Sequence, residues 1–227
     1  MTTLLEIRLF GPPSVQIGGK PMPRLKTRKG LSLLALLALR HGRDVDRIWL
    51  AGTLWPDADE ATSLTYLRQT LTDLRKAFGP VTDRLQSTAF RSLLLDLRGT
   101  DCDVVRFDAL ITRRNPEAFE EAITLYSGPL MEGCTEEWVF QERASRSEMW
   151  LRALEALASH EIEAGNAASA VHRLRQAISA EPLRDSVYRE LMRALAAWRQ
   201  SQPPRVVRVA PDRNRLTRRR LQGSRSA

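Results

Sequence analysis

The clearest pattern of apolar and polar positions lies between Glu60 and Phe78. Leu64, Leu67, Leu71, Leu74 and Phe78 recur at steps of three and four, which draws one stripe along an α-helix. The opposite side carries Thr65, Arg68, Gln69, Thr72, Arg75 and Lys76, with Asp73 on the flank. Gly79-Pro80 predicts where the helix stops. Such a face has two readings. It is either the solvated outer side of an ordinary amphipathic helix or a set of donors and cations laid along a DNA groove.

The surroundings of this helix decide between the two. Leu4 to Phe10 alternates and predicts a half-buried strand closed by Gly11-Pro12-Pro13. Val15 to Ile17 predicts a second strand, turned at Gly18-Gly19, and the segment at Pro21 and Pro23 a third strand or an extended link. The apolar positions Leu31, Leu34, Leu37 and Ala38 predict a helix from about Thr27 to Arg40. Asp46 is placed to cap another helix, which runs to Trp55 and ends at Pro56. After Phe78, Leu85 to Leu97 reads as two short strands joined near Thr88 to Arg91.

Strands, three helices and then a hairpin are the element order of a winged helix-turn-helix with an N-terminal antiparallel sheet. In that arrangement the third helix enters the major groove and the hairpin touches the backbone or the neighbouring minor groove. Arg68, Gln69, Thr72 and Arg75 are then the candidates for base edges and nearby phosphates, with Thr65 and Lys76 on the same face. Lys26, Arg28 and Lys29 precede the first helix and suit phosphate contacts, while Arg84 and Arg91 are candidates on the wing.

From residue 99 onward the pattern becomes helical. Asp103 to Arg114 and Pro116 to Tyr126 predict two helices joined at Asn115-Pro116, and Gly128-Pro129 breaks the chain. A long helical stretch from Glu136 to Ala164 is followed by the turn Gly165-Asn166 and a helix from Ala167 to Ala180. Leu154, Leu157, Gly165, Ala170, Leu174, Ala177 and Pro182 fit a tetratricopeptide-like helix pair, in which small residues let helices approach closely.

Charge separates the same segments. Residues 1–98 hold 15 Lys+Arg against 9 Asp+Glu, so +6; residues 99–198 hold 11 against 17, so −6. The stretch from 199 onward holds 9 against 1, so +8. The overall +8 is therefore mostly a property of the tail and is no proof of nucleic-acid binding. Cys102 and Cys134 are the only cysteines, too few for a disulfide framework, and fit a reducing cytoplasm. The apolar run Leu31 to Leu39 is too short to span a bilayer, so no membrane partner is expected. His41, His160 and His172 make no metal-ligand spacing, and no phosphate loop or nucleophile elbow is present. Cys134 has no base placed beside it by the sequence. The expectation is a non-enzyme without cofactor or metal.

Taken together, the chain resembles the SARP family of bacterial transcriptional activators. The resemblance rests on LLEIRLFGPPSVQIGGKPMP, TRKGLSLLALLAL, DRIWLAGTLWPD and YLRQTLTDLRKAFG in front, and on DVVRFDAL, LYSGPLMEG and EEWVFQER behind. It implies an OmpR-like winged-helix domain over residues 1–98, followed by a tetratricopeptide-like bacterial transcriptional activation domain over 99–198. It also implies binding to direct-repeat promoter DNA, as a side-by-side homodimer, and recruitment of RNA polymerase. Family members often switch on secondary-metabolite gene clusters. Arg68, Thr72, Arg75 and Lys76 fall on the family's DNA-facing helix, whereas Asp73 stands where a basic residue is usual.

The resemblance stops near residue 199. Pro203-Pro204 stands where another repeat would place a packed helix, and an Arg-rich stretch follows. Residues 199–227 are predicted to be disordered and the helical domain truncated, which leaves the side of Leu191, Leu195 and Trp198 uncovered. Arg213 to Arg220 could add non-specific DNA affinity or be an incidental basic tail. Two functions remain: a DNA-binding activator, or a truncated helical-repeat interaction module that no longer activates transcription.

Overall fold

A computed structural model describes residues 4–87 and 89–201. The chain opens with β1 (Leu5–Arg8), β2 (Ser14–Ile17) and β3 (Lys20–Pro21). Along β1 the alternation is realised, with Leu5 and Ile7 fully buried and Glu6 and Arg8 half-buried. β1 pairs antiparallel with β2, and β2 with β3. The predicted sheet therefore forms, and gains one strand from much further along. β7 (Asp101–Cys102) lies parallel to β1, with Ile7 opposite Cys102.

Three helices follow the first strands: α1 (Arg28–Ala38), α2 (Arg47–Leu54) and α3 (Glu60–Phe78). α1 is buried on nearly every side from Leu33 to Ala38, because strands and helices cover it all round. Its N-terminal turn lies against Leu25, where a Cβ on Gly30 would stand 2.9 Å from a Leu25 methyl. β4 (Val45–Asp46) leads into α2, and the Asp46 carboxylate accepts the Trp49 N–H at 2.9 Å, the predicted cap. α3 is capped by Asp59, which accepts from Thr62 N and Thr62 Oγ1. It ends at Gly79, whose φ of 48° no ordinary side chain favours.

β5 (Leu85–Gln86) and β6 (Ser92–Leu95) make the predicted hairpin, and β4 joins β6 to complete a three-stranded sheet. This is a winged helix: α3 and the hairpin flank one side, with Leu67, Leu71, Leu74 and Phe78 buried beneath.

The second half is all helix: α4 (Asp103–Arg113), α5 (Pro116–Leu125), α6 (Glu137–Glu163), α7 (Ala167–Ala180) and α8 (Asp185–Ser201). α6, α7 and α8 pack on one another in a tetratricopeptide-like array. Ala170 and Ala177 are completely buried where α7 meets its neighbours. Arg184, between α7 and α8, donates to Glu148 at 2.5 Å and also to Glu155, tying the second turn to α6. Arg199–Ser201 belong to α8, and the rest of the predicted disordered tail lies outside the described residues.

The two halves share one hydrophobic core. Asp103, at the first position of α4 and 2% exposed, accepts the N–H groups of Leu9 and Phe10 as well as its neighbour Val104. Leu9 O accepts from Met131 N, Gly11 N donates to Pro129 O, and Ser127 Oγ donates to Phe10 O. Gly11 and Gly128 approach so closely that a Cβ on Gly128 would sit 3.2 Å from the Gly11 Cα. Phe10 packs edge-on to Phe107 at 5.1 Å and against Tyr126 at 4.9 Å; Tyr126 in turn stacks on Trp150. Polar bridges line the seam. Glu136 accepts from Ser32 Oγ at 2.7 Å and pairs with Lys29 at 3.2 Å. Asp108 receives both His41 and Arg146, the latter almost wholly buried.

Candidate nucleic-acid interface

α3 turns its leucines inward and leaves Thr65, Arg68, Gln69, Thr72 and Lys76 exposed along one strip. The strip is held in helical order by its own side chains. Thr65 Oγ1 donates to Ala61 O and Thr72 Oγ1 to Arg68 O, each at 2.9 Å. Arg68 lies along the helix, with Nε on Leu64 O and Nη2 on Thr65 Oγ1, both at 3.2 Å. These local bonds to helix carbonyls hold the exposed donors close to the helix axis. Among the described residues no carboxylate pairs with Arg68, Arg75 or Lys76, and the strip keeps its positive charge.

Asp73, the one acid nearby, is otherwise engaged. Its Oδ2 accepts the Lys26 N–H at 2.8 Å, so it anchors the segment that leads into α1 against α3. Lys26, Thr27, Lys29, Gln69, Thr72 and Lys76, with Trp55 and Tyr66, line a groove of about 470 Å³ between the two helices. The aromatic pair Trp55–Tyr66, 5.9 Å between centroids, forms its apolar wall.

The residues assigned from sequence thus divide. Lys26 and Arg28 are exposed at the entry to α1. Lys29 is half-buried, with its ammonium matched by Glu136, bonded to the Leu54 carbonyl and 5.9 Å from the Trp55 ring centre. Arg84 lies at the base of the hairpin and donates to the carbonyls of Asp96 and Arg98, closing the exit of the wing. Arg91 is exposed at the hairpin tip, and its carbonyl accepts Arg47 N. Beside it Phe90 stands 94% exposed, the most exposed large apolar side chain among the described residues. Arg75 turns from the strip toward the wing, where its Nη2 reaches Ser87 Oγ at 3.3 Å.

Arg47 is the residue that periodicity did not mark. It opens α2, and its Nη2 reaches the same Ser87 hydroxyl at 2.8 Å. Burial pulls its pKa down, and the neighbouring Arg75 charge pulls in the same direction. Sequence points to the basic residues ahead of α1, on the outer face of α3 and on the wing at Arg84 and Arg91. Arg47 sits in an otherwise apolar stretch, DRIWLAGTLW, with no neighbouring base to draw attention to it.

Elsewhere the chemistry is structural. Burial pushes the Cys102 thiol up to about 12, so it is an inert core group. No group of three or more His, Cys, Asp or Glu side chains gathers as a metal site among the described residues. No described helix is long and apolar enough to cross a membrane.

Comparison with known proteins accords with this architecture. Residues 102–202 match the family model of the bacterial transcriptional activator domain. No curated protein matches the sequence. Among solved structures, Mycobacterium tuberculosis EmbR in complex with a low-affinity phosphopeptide superposes with a TM-score of 0.72 at 22% identity. The match covers 88% of this chain and 59% of that one. It takes in both halves and shows that the fold is shared; the chain spans little more than half the length of that protein.

Proposed function

We propose that this chain, whose helical half is similar to a bacterial transcriptional activator domain, is a sequence-specific DNA-binding transcriptional regulator without catalytic activity. The observation that carries the reading is the exposed strip of α3: Thr65, Arg68, Gln69, Thr72 and Lys76 lie on one face beside a wing, with no acid paired to them among the described residues. Arg and Gln are the side chains that bond base edges bidentately, and a helix of this width fits the major groove. In this reading Lys26 and Arg28 contact the DNA backbone from the start of α1, and Arg91 does so from the wing. The finer reading is an activator that occupies direct-repeat promoter sites as a side-by-side homodimer and recruits RNA polymerase through its helical half.

A second reading draws on α8. Tyr188, Met192, Leu195 and Trp198 leave it with an exposed apolar side, as befits a helical-repeat interaction module. One experiment separates the two. Full-length protein and a form ending at Ser201 are offered a random duplex library at about physiological salt. Enrichment of a repeated site by both forms, lost on Arg68→Ala, supports the regulator. Binding that enriches no site and vanishes with the tail leaves the interaction module.

A further inference from the structure

Arg47, Arg75 and Ser87 come from three separate elements: the start of α2, the last turn of α3 and the wing. Both guanidinium groups reach one oxygen, Ser87 Oγ, at 2.8 and 3.3 Å. Two cations held on one hydroxyl repel each other, and among the described residues no carboxylate pairs with either. Arg8, Arg106, Arg146, Arg173 and Arg184 each meet one or more carboxylates. Arg47 also carries a buried Nε with no acceptor among the described residues, as Arg146 does.

The geometry is held firmly. Arg47 N donates to Arg91 O at 2.9 Å, joining the start of α2 to the hairpin, and the capping carboxylate of Asp46 is committed to Trp49 N. Ser87 accepts both arginines through its oxygen lone pairs, which leaves its own proton to donate. Two guanidinium forks and one hydroxyl proton therefore converge on one side of the wing. Tetrahedral oxyanions are the ligands that such a set satisfies.

We infer that Arg47, Arg75 and Ser87 form a seat for a single phosphate of the DNA backbone, next to the groove that α3 would occupy. The inference rests on the DNA-binding reading and deepens it. It moves Arg75 from base recognition to backbone contact, leaves Arg68 and Gln69 as the base readers, and makes Arg47 a binding residue. The seat fixes the angle between α3 and the wing on the duplex, and it is indifferent to sequence.

The test uses full-length protein and the duplex enriched by selection, with wild type, Arg47→Ala, Arg47→Lys and Ser87→Ala. Affinity is measured against salt concentration, and again on duplexes that each carry one uncharged methylphosphonate. Weakening this phosphate contact should cost R47A up to about fivefold at ~0.15 M salt and lower the salt slope by up to about 0.9. The loss should be equal on cognate and unrelated duplexes. At one backbone position, methylphosphonate should cost wild type clearly more than it costs R47A, which keeps Arg75 and Ser87 there. Should R47A fail to fold, R47K and S87A, which keep the charge, carry the methylphosphonate arm, with a smaller loss confined to the same position. An unchanged salt slope in R47A, or full additivity of variant and methylphosphonate at every position, overturns the seat while the DNA-binding reading stands. Failure of wild type to bind any duplex overturns both.

Discussion

Replacing Asp103 by Ala tests whether one carboxylate joins the two halves. Its oxygens lie 2.8–3.0 Å from Leu9 N and Phe10 N and 2.7 Å from Val104 N, and the residue is 2% exposed. Alanine leaves three buried N–H groups without an acceptor, each worth roughly 1–3 kcal/mol. Against this stands relief from burying the carboxyl group. Burial raises the Asp103 pKa even though three N–H groups pull it down, so the desolvation cost is substantial. Setting several kcal/mol of desolvation against three lost bonds leaves a net destabilisation of about 3 kcal/mol. With a urea dependence of about 2 kcal/mol/M, the unfolding midpoint should fall by about 1.5 M. Far-UV circular dichroism and tryptophan fluorescence, read on the same samples, should also part company in the variant as the halves lose cooperativity. Asp73→Ala is the internal control. It too removes a side-chain acceptor from a backbone N–H, but an exposed one, and should cost under about 1 kcal/mol. A midpoint shift below about 0.5 M for D103A, with both probes still coincident, would refute the reasoning.

Three other outcomes follow. Phe90→Ala removes a side chain that packs on nothing, so thermal stability should change by less than about 0.5 kcal/mol. DNA affinity should nonetheless fall at least about threefold if the ring wedges against a base step, which filter binding or fluorescence anisotropy reads. Glu136→Ala removes the acceptor of Ser32 Oγ and Trp138 Nε1 and the ion partner of Lys29, and should cost about 1.5 kcal/mol, a loss of roughly 3–6 °C in Tm by calorimetry. The Arg184 hydrogen bond holds Glu148 below its ordinary value of 4.5. The stability this pair supplies is therefore complete above that pH and lost as pH falls through the lowered value. Arg184→Met should flatten the acid limb of a pH–stability profile below about pH 4.5 and leave the neutral range parallel to wild type; an unchanged limb counts against the pair.

Much of the fold was legible because it depends on period. The β1 alternation, the α3 stripe, the Asp46 cap and the small residues of α7 each state locally which side is buried. What escaped was of another kind. β7 is two residues long and has no period to read, and it pairs with a strand more than ninety positions earlier. The site was legible where one helix collects it, along α3, and illegible where three elements meet. Arg47 and Ser87 carry no mark in sequence, because their significance comes from sharing an oxygen with Arg75. In the same way, sequence lists the cation of Lys29 without its anion, since Glu136 arrives from over a hundred residues away. Hydrophobic spacing reports a face; it does not report the partner.

The parallel pairing of β7 with β1 also sets where the helical half can be. The chain passes from the wing to α4 through a strand stitched into the first sheet, and Asp103 grips the end of that sheet at once. A protein docked by α3 would thus carry α6 to α8 to one fixed azimuth around the duplex. Reach is exchanged for phase. Shifting the bound site by about five base pairs, half a helical turn, would swing those helices to the far side of the DNA, and about ten would bring them back. Spacing along a promoter would then act periodically, with the period of the double helix rather than the length of a tether.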